Sequence, residues 1–152
     1  AALEHFAAAC GRTAAGKDPA VALGSGAAGG LGYGLMRIGA RREPGIATVL
    51  DAVGLVPCLR EADLVITGEG KLDDQSLHGK VVIGVAQAAA SVGCACIAVA
   101  GQVRLGKREL GGAGIDAAYS VSDFVGLDIS MSEPHEAVAQ ATARVARTWG
   151  RR

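Results

Sequence analysis

Most of the reactive side chains in this sequence sit in one short stretch, Thr67-Gly68-Glu69-Gly70-Lys71-Leu72-Asp73-Asp74-Gln75-Ser76. The carboxylates Glu69, Asp73 and Asp74 can hold a magnesium ion or orient a hydroxyl for attack. Lys71, and Lys80 a little further on, can neutralise a phosphate or carboxylate; His78 could do either job. Gly68 and Gly70 flank Glu69, so the backbone can turn sharply there and a ligand can come close. Carboxylates beside lysines supply what phosphoryl transfer asks of a protein: metal positioning, hydroxyl orientation and charge neutralisation. The competing reading is a solvated charged turn. The two glycines, and the position of the stretch at the end of a strand, favour a site.

A second candidate is the run Gly24-Ser25-Gly26-Ala27-Ala28-Gly29-Gly30-Leu31-Gly32-Tyr33-Gly34. Its amides could cradle a phosphate at Gly26, Gly29 and Gly30, helped by the positive end of a following helix. Close packing that demands small residues explains the run equally well. Gly24 to Gly29 also fits G-x-G-x-x-G, which raises a dinucleotide-dependent oxidoreductase as an alternative. That site needs a strand just before it and an acidic residue at the end of the next strand, about 20 residues on. Ala20-Val21-Ala22-Leu23 makes a poor strand, and Asp51, at the right spacing, falls in a helical stripe. No Gly-Lys-Ser/Thr ending follows, so this is not a Walker-type loop.

The elements that must position these groups follow from apolar periodicity. Leu64-Val65-Ile66, Ala95 to Ala100 and Ala117 to Val121 are short apolar runs, the first two stopped by Gly68 and Gly101, as expected of buried parallel strands. Helices are predicted over 3–10, over 46–53 with Ile46, Val49, Leu50 and Val53 as a buried stripe, over 79–92, and over 107–110. A last helix should be capped by Ser132, with Pro134 in its first turn and Val138, Ala141, Val145 and Trp149 on its buried face. Arg144, Arg147, Arg151 and Arg152 near its end suit the helix dipole. Strand and helix alternate, so the expected fold is three-layer α/β, a mostly parallel sheet with helices on both faces. Residues 61–152 form the sheet unit; residues 1–60 are a helical, glycine-rich segment. Such sheets bind ligands at the carboxyl ends of their strands, where Thr67 to Ser76 lies.

Composition excludes several classes. In 152 residues the formal charge is zero, against nucleic acid as main partner. No apolar stretch reaches the ~20 residues of a membrane span, and no signal peptide is visible, so the expected compartment is cytoplasmic. Cys10, Cys58, Cys94 and Cys96 read as small buried hydrophobes in a reducing compartment, not as a metal site. Aromatics are 3% of residues, so the core must be built from Ala, Val, Leu and Ile. His5 and His135 read as surface or packing residues.

Three segments together resemble the bacterial glycerate kinase family: Gly26 to Gly32, Ala62 to Gly70, and Leu72-Asp73 through Gln75 to Gly79-Lys80. Pro44-Gly45-Ile46 through Asp51, and Ile97 to Gly101, fit the same pattern. The resemblance implies transfer of the ATP γ-phosphate to D-glycerate with magnesium, in a protein of two α/β domains with the site in their cleft. It makes Glu69 and Asp73 the main candidates for catalysis or metal binding, with Lys71 beside them. Thr67, Gly68, Gly70, Gln75 and Lys80, together with Gly26, Gly29 and Gly30, are candidates for substrate or phosphate binding. The Asp-Ser-Phe-Lys-Gly-Ser and Gly-Gly-Glu-Gly segments of the family's N-terminal half do not occur, and the sequence starts without Met, so it reads as a C-terminal part. It would then work with the missing half or as a homodimer. A ligand-binding half-protein without chemistry is the other alternative.

Overall fold

All three runs that the sequence marks as buried strands are strands in the computed structural model, which describes residues 2–13, 16–77 and 79–150. The chain divides into two compact units, one up to Glu43 and one from Pro44 onward. The first carries α1 (Ala2–Cys10), a 3-10 turn (Pro19–Val21) and α2 (Ala27–Arg37). The second runs α3 (Gly45–Ala52), α4 (Leu55–Arg60), β1 (Leu64–Thr67), β2 (Lys71–Leu72), α5 (Val81–Val92), β3 (Ala95–Ala100), β4 (Gln102–Val103), α6 (Lys107–Gly112), β5 (Ala117–Ser120), α7 (Val121–Val125), α8 (Leu127–Ser132) and α9 (Pro134–Trp149).

The larger sheet of the second unit has the order β1-β3-β5, all parallel, with Leu64 opposite Ala95 and Ile97 opposite Ala117. The central strand is covered on both faces, which is why it is apolar throughout. Successive residues point to opposite sides. Cys96, Ala98 and Ala100 join the larger core with Val82, Ile83, Ala86 and Ala89 of α5. Val99 packs on the other face with Val121 and with Ala137 and Ala141 of α9. Small side chains let the helices come close. Gly84 in α5 lies so near Ile46 of α3 that a methyl there would have no room. Burial pushes the Cys96 thiol up to about 11, aided by Asp116, whose carboxylate accepts the Cys96 amide at 2.8 Å.

In the first unit Tyr33 is buried and meets Phe6 edge-on, with ring centroids 5.8 Å apart. Ala28, Gly29 and Gly30 all take left-handed backbone angles, so the regular helix of α2 begins only after them. Ala28 is the one non-glycine at positive φ among the described residues.

Several expectations need correction. The unit boundary falls at Glu43/Pro44, because α3 and α4 pack on α5. Ser132 ends α8, and Glu133 occupies the position before α9. On α9 the buried face is Ala137, Ala141 and Val145; Val138 is exposed. Val49 and Val53 are likewise exposed, leaving Ile46 and Leu50 as the covered half of that stripe. Val121 opens α7 and does not end the strand. Cys58 is exposed, unlike Cys94 and Cys96. The dinucleotide reading fails: the chain before Gly24 makes a 3-10 turn and no strand, and Asp51 lies inside α3. His78, Arg151 and Arg152 lie outside the described residues.

Candidate active site

The loop after β1 is held by main chain before any side chain acts. Gly68 abuts the Val99 carbonyl of β3, and no Cβ would fit between them. The next carbonyls then take amides from the loop after β3: Gly101 to Glu69 at 3.1 Å, Gln102 to Gly70 at 3.1 Å and Arg104 to Leu72 at 2.8 Å. These bonds extend the parallel pairing past the sheet as β2–β4. Leu72 is fully buried beneath it and pins the loop to the core.

Ser76, also fully buried, is the hub of the polar network. Its hydroxyl donates to the Lys71 carbonyl at 3.3 Å and accepts from the Asp73 amide at 3.2 Å and from Lys80 Nζ at 3.2 Å. Asp73 Oδ1 accepts the Gln75 amide at 3.1 Å, and its Oδ2 faces Lys71 Nζ at 2.9 Å. The hydrogen bond from Lys71 holds the Asp73 carboxyl below the ordinary carboxylate range; burial opposes this, while the charge of Lys71, the Gln75 amide and Lys80 add to it. Glu69 Oε2 lies 3.6 Å from Lys80 Nζ. Glu69 Oε1 is buried and has no hydrogen-bond partner among the described residues. Buried polar atoms are ordinarily satisfied, so this oxygen is the exception in the network.

Gly68, Glu69, Gly70 and Lys71 line one side of a cleft of about 670 Å³ at the carboxyl ends of β1, β3 and β5. Asp73, Gln75 and Lys80 join the same network behind them, and Thr67 is half-buried at the end of β1. Asp74 is exposed at the start of a 3-10 turn over Asp74–Leu77. Gly26, Gly29 and Gly30 belong to the other unit. There Gly26 and Gly30 line a cavity of about 130 Å³ with Ser25 and Tyr33. Among the described residues no three His, Cys, Asp or Glu side chains gather as a metal cluster.

Sequence reasoning missed the far wall of the cleft, formed by Leu127, Met131, Pro134 and Val138. Leu127 and Met131 are four apart on α8 and Pro134 and Val138 four apart on α9, each pair at helical spacing, with the non-helical Glu133 between the two helices. It also missed Gln102, which reaches the cleft only because β4 pairs with β2.

Fold and cleft define an α/β protein with a cleft at the carboxyl end of a parallel sheet, where such folds bind small molecules. The model of the glycerate kinase family matches residues 1–150, and the chain belongs to that family. It is 42% identical over 133 residues to the glycerate kinase of Halalkalibacterium halodurans, covering 86% of this chain and 35% of that protein. With the glycerate 2-kinase of Escherichia coli K12 it shares 39% over 127 residues, 82% of this chain and 33% of the other. A crystal structure assigned as glycerate kinase 2 from Salmonella typhimurium LT2 superposes with a TM-score of 0.64 at 36% identity, covering 97% of this chain and 39% of that one. The chain spans about a third of the length of the curated relatives it matches. No helix among the described residues is long and apolar enough to cross a membrane.

Proposed function

We propose that these residues form part of the site of a kinase that transfers the γ-phosphate of ATP to a hydroxyl of D-glycerate. The observation that carries this reading is Glu69, a cleft-lining residue with one oxygen beside Lys80 and the other buried and unpartnered. That second oxygen can accept the hydrogen of an attacking hydroxyl and orient it. Lys71 and Lys80 lie close enough to the same loop to offset phosphate charge, and α5 starts directly after Lys80, adding the positive end of a helix. Asp73 is committed to Lys71 and to the Gln75 amide, so its part is to set the lysine and the turn.

Magnesium fits this donor set in one way. The ion takes one or two carboxylates and otherwise phosphate and water, and Glu69 Oε1 offers one free carboxylate oxygen. Glu69, and not the paired Asp73, would hold it, in place of and not beside the role of accepting the hydroxyl hydrogen. When bound, the ion neutralises charge on the phosphates. Gly26 and Gly29 have open space where a Cβ would stand, which leaves their amides approachable by a phosphate in their own unit. Such a reaction would run in the cytoplasm, where ATP is plentiful, and would draw on the remaining length of the family's proteins or on a second copy.

The test is phosphate transfer from magnesium-ATP to D-glycerate, read by mass spectrometry. It compares this chain with a polypeptide of the relatives' full length that contains these residues. The longer polypeptide should turn over, and Glu69→Gln should slow it by about 10²–10⁴-fold. Binding without product from both would replace the kinase with a ligand-binding protein. An unchanged rate in Glu69→Gln would remove Glu69 from the chemistry.

A further inference from the structure

The cleft is two-sided in chemistry, and a three-carbon hydroxy acid uses only one side. Glu69, Lys71 and Gln102 stand on the sheet side. Across from them Leu127 and Met131 of α8 and Val138 of α9 are 49%, 75% and 47% exposed, and Pro134 at the start of α9 lines the cleft with them. α8 contributes no buried residue at all. An apolar helical stripe ordinarily faces a core. This one faces a cleft of about 670 Å³. D-glycerate is polar throughout and gains nothing from such a wall. A nucleotide has one flat apolar part and one highly charged part, which matches a cavity with an apolar wall at one side and Lys71 at the other.

From this we infer that the α8–α9 stripe is the seat of the purine base of a nucleotide, with Met131 and Val138 against the ring face. The inference rests on the kinase reading above for the direction of the phosphates, toward Gly68–Lys71. Met131 is suited to this: its side chain is flexible and polarizable, and it adapts to a planar ring. Ser130 and Gln102, also in the lining, supply hydrogen-bonding groups for the ring edge.

The chain contains only two methionines, Met36 and Met131, and Met36 lies in the other unit. Labelling the methionine methyls with ¹³C therefore gives two signals, assigned with Met131→Leu. Adenosine and ADP should both move the Met131 methyl upfield through the ring current. Inorganic pyrophosphate with magnesium should not. Val138→Asp should weaken ADP binding about tenfold, and leave D-glycerate binding unchanged. A Met131 signal that ADP leaves in place, while the amides of Gly68–Lys71 shift, would overturn the base site and spare the kinase reading. An equal Met131 shift with pyrophosphate alone would also overturn it, since no ring would be involved. If ADP moved neither region, the base site would fall and the kinase reading would lose its support in this chain. Turnover by the longer polypeptide would then decide that reading separately.

Discussion

Two glycine-rich segments of this chain look alike in sequence and are built for different ends. In the loop after β1, Gly68 is a glycine because the Val99 carbonyl occupies the space a Cβ needs. Two residues on, Gly70 has nothing within 4 Å of that position and faces the cleft. In the segment from Gly24, the same division appears: Gly32 abuts the Gly24 carbonyl, while Gly26 and Gly29 are open. The β1 loop thus has one glycine that serves packing and one that leaves backbone accessible, while in the other segment Gly24 and Gly30 also face side chains, of Arg42 and Leu3. What separates the segments is charge. The β1 loop carries Glu69, Lys71, Asp73 and Asp74; no ionisable acid or base of the Asp, Glu, Lys, Arg or His type occurs between Ala20 and Met36. One segment can orient and neutralise; the other can offer only amides.

The largest effect should come from the packing glycines. Gly68→Ala drives a methyl into the Val99 carbonyl and must push the end of β1 off β3. A loss of about 2–3 kcal/mol is expected, read as a lower denaturant midpoint at constant slope. Gly32→Ala should do the same to the first unit. A near-neutral Gly68→Ala would mean that the two strand ends are not in contact, and the cleft as described would not exist.

The open glycines should behave in the opposite way. Gly70→Ala is expected to change stability by less than about 0.5 kcal/mol, yet to weaken ligand binding by filling the cleft. Gly26 has right-handed backbone angles, φ −77° and ψ −6°, so Gly26→Ala should raise stability by about 0.4–1 kcal/mol through the unfolded chain. If the glycine segment takes a phosphate, the same substitution lowers affinity while stability rises. If affinity is untouched, its glycines serve packing alone.

The strands, α5 and the clustering of charged residues after β1 are readable because each rests on a local signal. Ala95 to Ala100 is apolar at every position because its strand is covered twice, and Gly93 in left-handed conformation closes α5 where the apolar stripe ends. Glu69, Lys71, Asp73 and Lys80 come together within one loop, so proximity in sequence was enough. Four features were not local. Gln102 enters the cleft through the β2–β4 ladder, which depends on the loops after β1 and β3 lying side by side. Ser76 looked like an ordinary loop serine until its burial made it the hub. The spacing of Val138 is helical and points to the core, yet it is exposed; periodicity finds an apolar face but cannot say what covers it. Val49 and Val53 were misread for the same reason.

The smallest expected effect concerns the charges that distinguish the two segments. Asp73 is held below the ordinary carboxylate range chiefly by its hydrogen bond from Lys71. A carboxyl depressed in the fold stabilises it at pH values above its unfolded midpoint, and that contribution is lost as pH falls through the lower folded midpoint. Lys71→Met should therefore raise the Asp73 midpoint toward the ordinary value, read by carboxyl chemical shifts across an acid titration. Lys80 and the Gln75 amide remain, so the return should be incomplete. The difference in stability between the two proteins should be visible near neutral pH and fade once Asp73 is protonated in both. The glycine segment, with no such carboxylate, should show no matching transition. A midpoint unmoved by Lys71→Met would mean that the backbone turn at Gln75, and not the lysine, sets the charge of this loop.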